Sequence, residues 1–163
     1  MAYLTYREYV SISGDKAVTE GEFNRLSWLA EKQVEDATAG VDNISKLRYC
    51  TPTEEYDLNA VKRCISAVIN LMAEIENAST LRQTENGLMP SVIASVHAGN
   101  ESISYATSGA SSSILQASQS QEAKNSLIYS TICEYLRGTV DKNGINMLYI
   151  GTYPYHIEEA DNE

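Results

Sequence analysis

Apolar residues in the first quarter of the chain recur at spacings of three and four, which is the pattern of an amphipathic helix. In the stretch VTEGEF, Thr19 and Glu22 form a capping-box pair, so we expect a helix to begin near residue 20. The predicted buried face consists of Phe23, Leu26, Ala30, Val34 and Ala37. The pattern stops between Thr38 and Gly40, where the helix is expected to end.

Two further capping boxes predict two more helix starts. In LTYREY, Thr5 and Glu8 predict a short first helix that ends at Ser13-Gly14. In TPTE, Thr51 is the expected cap of a long helix with Pro52 in its first turn. The apolar stripe of that helix is Leu58, Val61, Ile65, Val68, Met72 and Ile75. Other apolar residues beside the stripe predict a central helix that packs on more than one side.

A last helix is predicted over about Gln119 to Arg137, because Arg137-Gly138 is a favourable helix end. Its predicted buried residues are Leu127, Ile128, Thr131, Ile132, Tyr135 and Leu136. Each buried apolar side chain contributes about 1.5 to 3 kcal/mol before entropy is subtracted, which is sufficient for a small bundle. We therefore expect a mainly α fold, a small bundle of about four helices.

Residues 87–118 interrupt the helical pattern with serines, small residues and thinly spaced apolar side chains. Two pieces alternate apolar and polar residues around Ala98-Gly99-Asn100, which predicts an inserted β-hairpin arm followed by the flexible tether SGASSS. An isolated hairpin is marginally stable in water, so its partner is either another chain or its own bundle. If the partner is another subunit, the arm residues expected at the contact are Val92, Ile93, Val96, Ile103 and Tyr105.

The C-terminal segment, residues 145–163, is first aromatic and then acidic, and we expect it to be an extended tail. Tyrosine rings are amphipathic and suit contacts between proteins. The candidate partner-contact residues are Tyr149, Tyr153, Tyr155 and Ile157. A frayed acidic tail without a partner is the open alternative. The whole chain, residues 1–163, is predicted to be one domain that carries the arm and this tail.

Charge and cysteine content narrow the class of protein. The formal net charge is -10 and the 12 basic residues are scattered, so a surface that grips DNA is not expected. Cys50, Cys64 and Cys133 lie far apart without a Cys-x-x-Cys pair, which predicts buried or half-buried thiols, no disulfide and no zinc site. Neither a signal peptide nor a membrane-spanning run is visible, so we expect a cytosolic protein.

Few residues could converge on a catalytic site. His97 and His156 are the only histidines, at the predicted hairpin turn and near the C terminus. Ser13 and Lys16 have a Ser-x-x-Lys spacing, but no companion motif, glycine-rich nucleotide motif or EF-hand loop is present. We expect no enzymatic activity, no cofactor and no metal. A small helical regulatory binding module, or an enzyme whose Ser-rich segment is a lid, remain as alternatives.

A further pattern consists of four stretches in this order: YLTYREY, VTEGEFNRLSWLAEKQVEDAT, HAGNESISYA, and ICEYLRGT with MLYIG. Together they resemble the small helical head-tail connector proteins of tailed bacteriophages, also called adaptor or head-completion proteins. The chain departs from that pattern at Val34-Glu35 and Ala37, where the family has an Ile-Asp pair and a Leu. Ile150 also stands where a basic residue is common.

The resemblance implies a homo-oligomeric ring, dodecameric when assembled, that docks under the portal protein of the capsid. Such a ring extends the DNA channel, lets DNA pass without sequence-specific binding, and is the platform for stopper or tail-completion proteins. It implies assembly in the bacterial cytoplasm, a final location in the virion neck, and a chain that can be monomeric in isolation. It also implies that the C-terminal contact residues reach the portal.

Overall fold

The structure is a computed structural model that describes residues 3–84, 96–98, 101–103 and 112–152. In these ranges the fold is mainly helical, as the sequence predicts. The helices are α1 (Tyr6–Ser13), α2 (Glu20–Ala37), α3 (Lys46–Tyr49), α4 (Glu55–Thr84), α5 (Ser112–Gln119) and α6 (Gln121–Leu136), with a 3-10 turn over Gly14–Lys16. Two short strands, β1 (Val96–Ala98) and β2 (Glu101–Ile103), pair in the antiparallel direction.

The described residues divide into two compact units. The first, which we call the main unit, contains the chain up to Asn70 and the chain from Ile128 onward. The second runs over Leu71–Leu127, and its buried apolar residues are Met72, Ala73, Ile75 and Ala117. The surfaces described below all belong to the main unit. The expectation of a single domain stays a prediction.

Two of the three predicted helix starts are confirmed at the level of individual hydrogen bonds. The hydroxyl of Thr5 accepts from the Glu8 N–H while the Glu8 carboxylate accepts from the Thr5 N–H, and Thr19 and Glu22 do the same at α2. These reciprocal bonds satisfy backbone donors that the first turn of a helix leaves free. The predicted end of α2 is also confirmed, because its last helical residue is Ala37.

The third predicted start is wrong. The long helix begins at Glu55, and the Thr51 hydroxyl does not cap it. Instead Thr51 Oγ1 donates to the Leu47 carbonyl at 2.7 Å, so it closes the end of α3. Because α3 has only four residues, its sequence carries no helical period that could predict it.

The apolar core of the main unit largely follows the predicted stripes. Its buried residues include Leu26, Ala30, Val34, Val61, Ile65, Val68, Ile128, Ile132 and Leu136. Tyr135 is exposed although its spacing in α6 predicts a buried residue, and the half-buried residues of the predicted faces are Ala37, Leu58, Leu127 and Thr131. A tyrosine can lie on either side of such a boundary because its ring is apolar and its hydroxyl is polar.

A polar network lies among these core residues and connects α1 to α4. Tyr9 Oη accepts from the Val18 N–H at 2.9 Å and donates to Asn70 Oδ1 at 2.6 Å. Asn70 Nδ2 donates to Ser13 Oγ at 3.1 Å, and Ser13 Oγ lies 2.7 Å from Ser66 Oγ. Ser13, the serine of the Ser-x-x-Lys spacing, is therefore bound into helix packing.

The Ser-rich segment is described only in part. Val96 pairs with Ile103, His97 with Ser102 and Ala98 with Glu101. The prediction of a flexible tether over SGASSS is wrong at the end of that stretch, because Ser112 and Ser113 begin α5. The helix buries Ala117, an apolar contact that the serine-rich composition does not reveal. That the two strands form a projecting arm stays a prediction.

Candidate protein-interaction site

Two loops of the main unit share one backbone hydrogen-bond pattern. Loop A, residues 38–46, follows α2, and loop B, residues 139–147, follows α6. The N–H···O bonds of loop A are Lys46 to Thr38 at 3.3 Å, Gly40 to Ile44 at 3.3 Å and Asn43 to Gly40 at 3.0 Å. The equivalent bonds of loop B are Met147 to Thr139 at 2.9 Å, Asp141 to Ile145 at 2.9 Å and Gly144 to Asp141 at 3.0 Å. The chain therefore forms the same turn twice.

The sixth residue of each loop has a left-handed backbone. Asn43 has a φ of 58° and Gly144 a φ of 77°. Asparagine and glycine are the residue types that adopt this conformation at least cost. The same steric requirement is thus met by a different residue in each loop.

Lys46, at the end of loop A, links the two loops electrostatically. Its side chain is buried, and Nζ donates to the Thr38 carbonyl at 2.9 Å. Burial lowers the pKa of Lys46, while the carboxylates of Asp42 in loop A and Asp141 in loop B oppose that shift. Asp141 is itself held in place, because its Oδ1 accepts from the Ile145 N–H at 2.9 Å. The buried ammonium is thus bound by the backbone of loop A and attracted by one carboxylate from each loop.

The C-terminal segment of the main unit crosses loop A. The Val41 N–H donates to the Ile150 carbonyl at 3.0 Å. Gly40 approaches the same segment so closely that an added Cβ would lie 2.9 Å from the Gly151 carbonyl oxygen. The ring of Tyr149 lies over Gly151, where it leaves no room for a Cβ.

The segment before this crossing is not extended, so that part of the predicted tail is wrong. The Tyr149 N–H donates to the Asn146 carbonyl at 3.0 Å, which closes a turn, and Asn146 pairs with Val140 as part of loop B. Met147 is fully buried inside this turn. Burial of that side chain gives a physical reason for the chain to fold back here.

Three apolar side chains at this crossing are exposed, and we call them the exit patch. They are Val41, Tyr149 and Ile150, with exposed fractions of 66%, 50% and 63%. Tyr149 also lines a shallow cavity of about 370 Å³ together with Ile145, Asn146 and Thr152. Adjacent apolar residues exposed on a protein surface are typical of binding sites for other proteins.

A second exposed feature is a groove of about 530 Å³ between the start of α4 and the end of α6. Its lining residues are Tyr56, Asn59, Ala60, Arg63, Glu134 and Tyr135. Tyr56 is 84% exposed, and its sequence signal is that it lies off the apolar stripe in the first turn of α4. The groove was not predicted, since Tyr135 was assigned to the core.

The structure describes only some of the predicted contact residues. Tyr149 lies in the exit patch, and Val96 and Ile103 are paired in register between β1 and β2. The predicted contact residues outside the described ranges are Val92, Ile93, Tyr105, Tyr153, Tyr155 and Ile157. Val41 was missed, and its available signal is an apolar residue inside the turn-forming stretch AGVDN.

The cysteines have the environment that the sequence predicts. Cys50 and Cys64 are buried, Cys133 is half-buried, and all are free thiols. Burial raises the pKa of the Cys64 thiol to about 12, which makes it unreactive in the folded protein. In the described ranges no three His, Cys, Asp or Glu side chains are grouped as metal ligands. Nor does any helix there combine the length and apolarity needed to span a bilayer.

Comparisons of the chain with protein-family models, with curated proteins and with solved structures found no match. The exit patch and the groove are exposed aromatic and apolar features of a helical unit with a buried core.

Proposed function

We propose that the protein is a structural subunit of a bacteriophage neck. Copies form a ring, dodecameric when complete, that docks under the portal, extends the DNA channel and carries the stopper or tail proteins. The observation that carries the proposal is the exit patch, where the C-terminal segment crosses loop A next to exposed apolar residues. Such surfaces become buried when a second protein binds.

The main unit supports this role because its core is complete without a partner. Leu26, Ile65 and Ile132 are each at most 1% exposed. Among the described residues, every buried side-chain nitrogen or oxygen atom has a hydrogen-bond partner. A unit with a packed and satisfied core can fold as a monomer and assemble later on a template.

The proposal gives roles to the predicted arm and to the C-terminal tail. The predicted arm, with Val92, Ile93, Val96, Ile103 and Tyr105, packs between neighbouring subunits or toward the channel. The tail residues Tyr153, Tyr155 and Ile157 extend toward the portal the contact that Tyr149 begins. The net charge of -10 fits a channel through which DNA slides, since few clustered cations are available to hold phosphates.

The test is assembly on the portal protein of the same phage, followed by native mass spectrometry and light scattering. We expect the wild-type chain to form a multi-subunit complex with the portal. Changing Tyr149 and Ile150 together to serine should weaken that complex, because both side chains belong to the exit patch. Tyr129→Ser is the matched control, since Tyr129 on α6 has the same 50% exposed fraction as Tyr149.

The outcomes separate the parts of the proposal. A wild-type chain that stays monomeric in the presence of the portal would refute the neck function. A double serine variant that assembles as well as Tyr129→Ser would show that the exit patch is not the contact. Both variants change exposed residues, so circular dichroism should confirm that each one folds.

A further inference from the structure

Trp28 is the only tryptophan of the chain, and it is 65% exposed. It lies on α2, whose buried residues are Phe23, Leu26, Ala30 and Val34. At about 3.6 residues per turn, Trp28 falls on the face opposite to that stripe. Leu29 beside it is also exposed. Exposed tryptophan is the residue type most enriched among the energetic centres of protein interfaces.

Two exposed cations flank Trp28 on α2, although the chain is strongly acidic. Arg25 and Lys32 are exposed, and at three residues before and four residues after Trp28 they share its face. Glu31 is half-buried, and its Oε1 accepts a hydrogen bond from the Tyr3 N–H at 3.0 Å. Lys32 Nζ lies 3.1 Å from Asp36 Oδ1, one turn further along the helix. Trp28 therefore has a cation on each side along α2.

The groove between α4 and α6 has the complementary chemistry. Tyr56 and Tyr135 line it with aromatic rings, and Ala60 adds a small side chain to the same lining. Glu134 also lines the groove, so a carboxylate is available to a cation beside Trp28 of another copy. The volume of about 530 Å³ suffices for an indole and part of a neighbouring side chain. No residue of α2 lines the groove.

We propose that Trp28 of one copy inserts between Tyr56 and Tyr135 of the next copy. This contact rests on the proposed function and names the surface that joins neighbouring subunits of the ring. Aromatic rings stack favourably at centroid separations of about 4.5 to 7 Å, and Arg63 adds a cation–π partner for the indole. Because the two surfaces differ, each copy uses Trp28 toward one neighbour and the groove toward the other, and such a head-to-tail contact forms a ring when the rotation between copies closes.

Fluorescence tests the contact directly, because all tryptophan emission comes from Trp28. The wild-type chain is measured over a concentration series alone and then with the portal protein. Association of copies should shift the emission to shorter wavelength and protect the indole from a water-soluble quencher. Tyr129→Ala, an exposed aromatic outside the groove, is the control and should behave like the wild type.

A mixing experiment tests the head-to-tail geometry. Trp28→Ala keeps the groove, whereas the double change Tyr56→Ala and Tyr135→Ala keeps the tryptophan. Each variant alone should associate about 30-fold more weakly than the wild type, which is about 2 kcal/mol at 1.4 kcal/mol per factor of ten. An equimolar mixture should form heterodimers with one copy of each variant and nothing larger, because only one pair of intact surfaces remains.

Each result decides between the two proposals. Wild-type assembly that leaves the emission and quenching of Trp28 unchanged overturns the contact and keeps the ring. Indole protection by the portal without association between copies assigns Trp28 to the portal and also overturns it. The contact between Trp28 and the groove is also overturned if either variant alone associates as strongly as the wild type. It is likewise overturned if the mixture forms no heterodimer. A chain that associates neither with itself nor with the portal overturns both proposals.

Discussion

Replacing Gly40 with alanine is expected to release the C-terminal segment from loop A and to leave the helical core intact. An added Cβ would lie 2.9 Å from the Gly151 carbonyl oxygen and 3.0 Å from Asp42 Oδ1. At 3.0 Å the Asp42 oxygen has to move by only a few tenths of an ångström, which its side chain can do while it keeps the hydrogen bond from the Ile44 N–H. The Gly151 oxygen belongs to the backbone, so relief at that point requires the whole segment to move.

The magnitude follows from the cheaper of two responses. Holding both chain segments in place would overpack the contact, at about 1 to 3 kcal/mol. Moving the segment away breaks the hydrogen bond from Val41 to Ile150, at about 0.5 to 1.5 kcal/mol. It exposes little new apolar surface, because Ile150 is already mostly exposed.

The second response should therefore occur. Alanine also restricts the unfolded chain, which returns about 0.4 to 1 kcal/mol, since the φ of Gly40 is not in the left-handed region. The net loss is below about 1 kcal/mol, or a fall in Tm of less than about 4 °C for a chain of this size.

The assay combines amide hydrogen exchange with thermal unfolding. The Val41 amide should exchange much faster in Gly40→Ala than in the wild type, while the amides of α4 keep their protection. Gly21→Ala is the matched control, because Gly21 lies in the first turn of α2 with no atom within 4 Å of the added Cβ. That control should raise stability by up to about 1 kcal/mol. An unchanged Val41 amide, or a fall in Tm well above 4 °C, would refute the reasoning.

Three further predictions concern the main unit. The Lys62 ammonium and the Thr5 N–H hold the pKa of Glu8 at about 2, below its ordinary value of 4.5. The contribution of the ionised Glu8 to the free energy of unfolding is therefore fully present above pH 4.5 and is lost as the pH falls toward 2. Urea unfolding against pH should show this loss, at most about 1 kcal/mol for such an exposed pair, in the wild type and not in Glu8→Gln; parallel curves would contradict it. A thiol reagent should modify Cys133 first and Cys64 only on unfolding, because burial raises the Cys64 pKa to about 12; fast modification of Cys64 in the native protein would contradict this. Ile132→Ala should cost about 2 to 5 kcal/mol in urea unfolding because Ile132 is fully buried, and a loss under about 1 kcal/mol would contradict that burial.

The helices could be predicted from sequence where the signal is local. A capping box places a hydroxyl and a carboxylate three residues apart, and two of the three boxes with that spacing, at Thr5 and Thr19, form as expected. The box at Thr51 fails because a neighbouring element competes for the same hydroxyl. Its spacing is the same as in the other two boxes, because Glu54 lies three residues after Thr51. No local pattern reports that competition.

The exit patch and the groove, which are proposed contact surfaces, could be predicted from the sequence only in part. Tyr149 was identified from its aromatic neighbourhood, and it is exposed in the exit patch. Tyr135 was assigned to the core because it follows the apolar spacing of α6, yet its ring lines the groove. Hydrophobic spacing locates the face of a helix but does not decide how far a tyrosine at the edge of that face is covered.

The two loops show why their repeat is hidden in the sequence. Aligned by hydrogen bonds, TAGVDNISK and TVDKNGINM share only the first Thr and the seventh Ile. The N–H of that isoleucine donates to an aspartate carboxylate in both loops, but the aspartate stands at a different position in each loop. In loop A it donates to Asp42 Oδ1 at 3.2 Å, from the fifth position, and in loop B to Asp141 Oδ1 at 2.9 Å, from the third. The backbone requirement is constant and the residue that meets it is not.

This difference also determines where the exit patch forms. Loop A has moved its carboxylate to the fifth position, so its third position can be Gly40, and the C-terminal segment lies directly on that glycine. Loop B has Asp141 in the third position, where a side chain fills the equivalent space. A glycine at this position lets the segment approach loop A more closely than a side chain would allow. A carboxylate shifted by two residues in the sequence thus leaves room for the close approach beside which Val41 and Ile150 are exposed as part of the proposed contact surface.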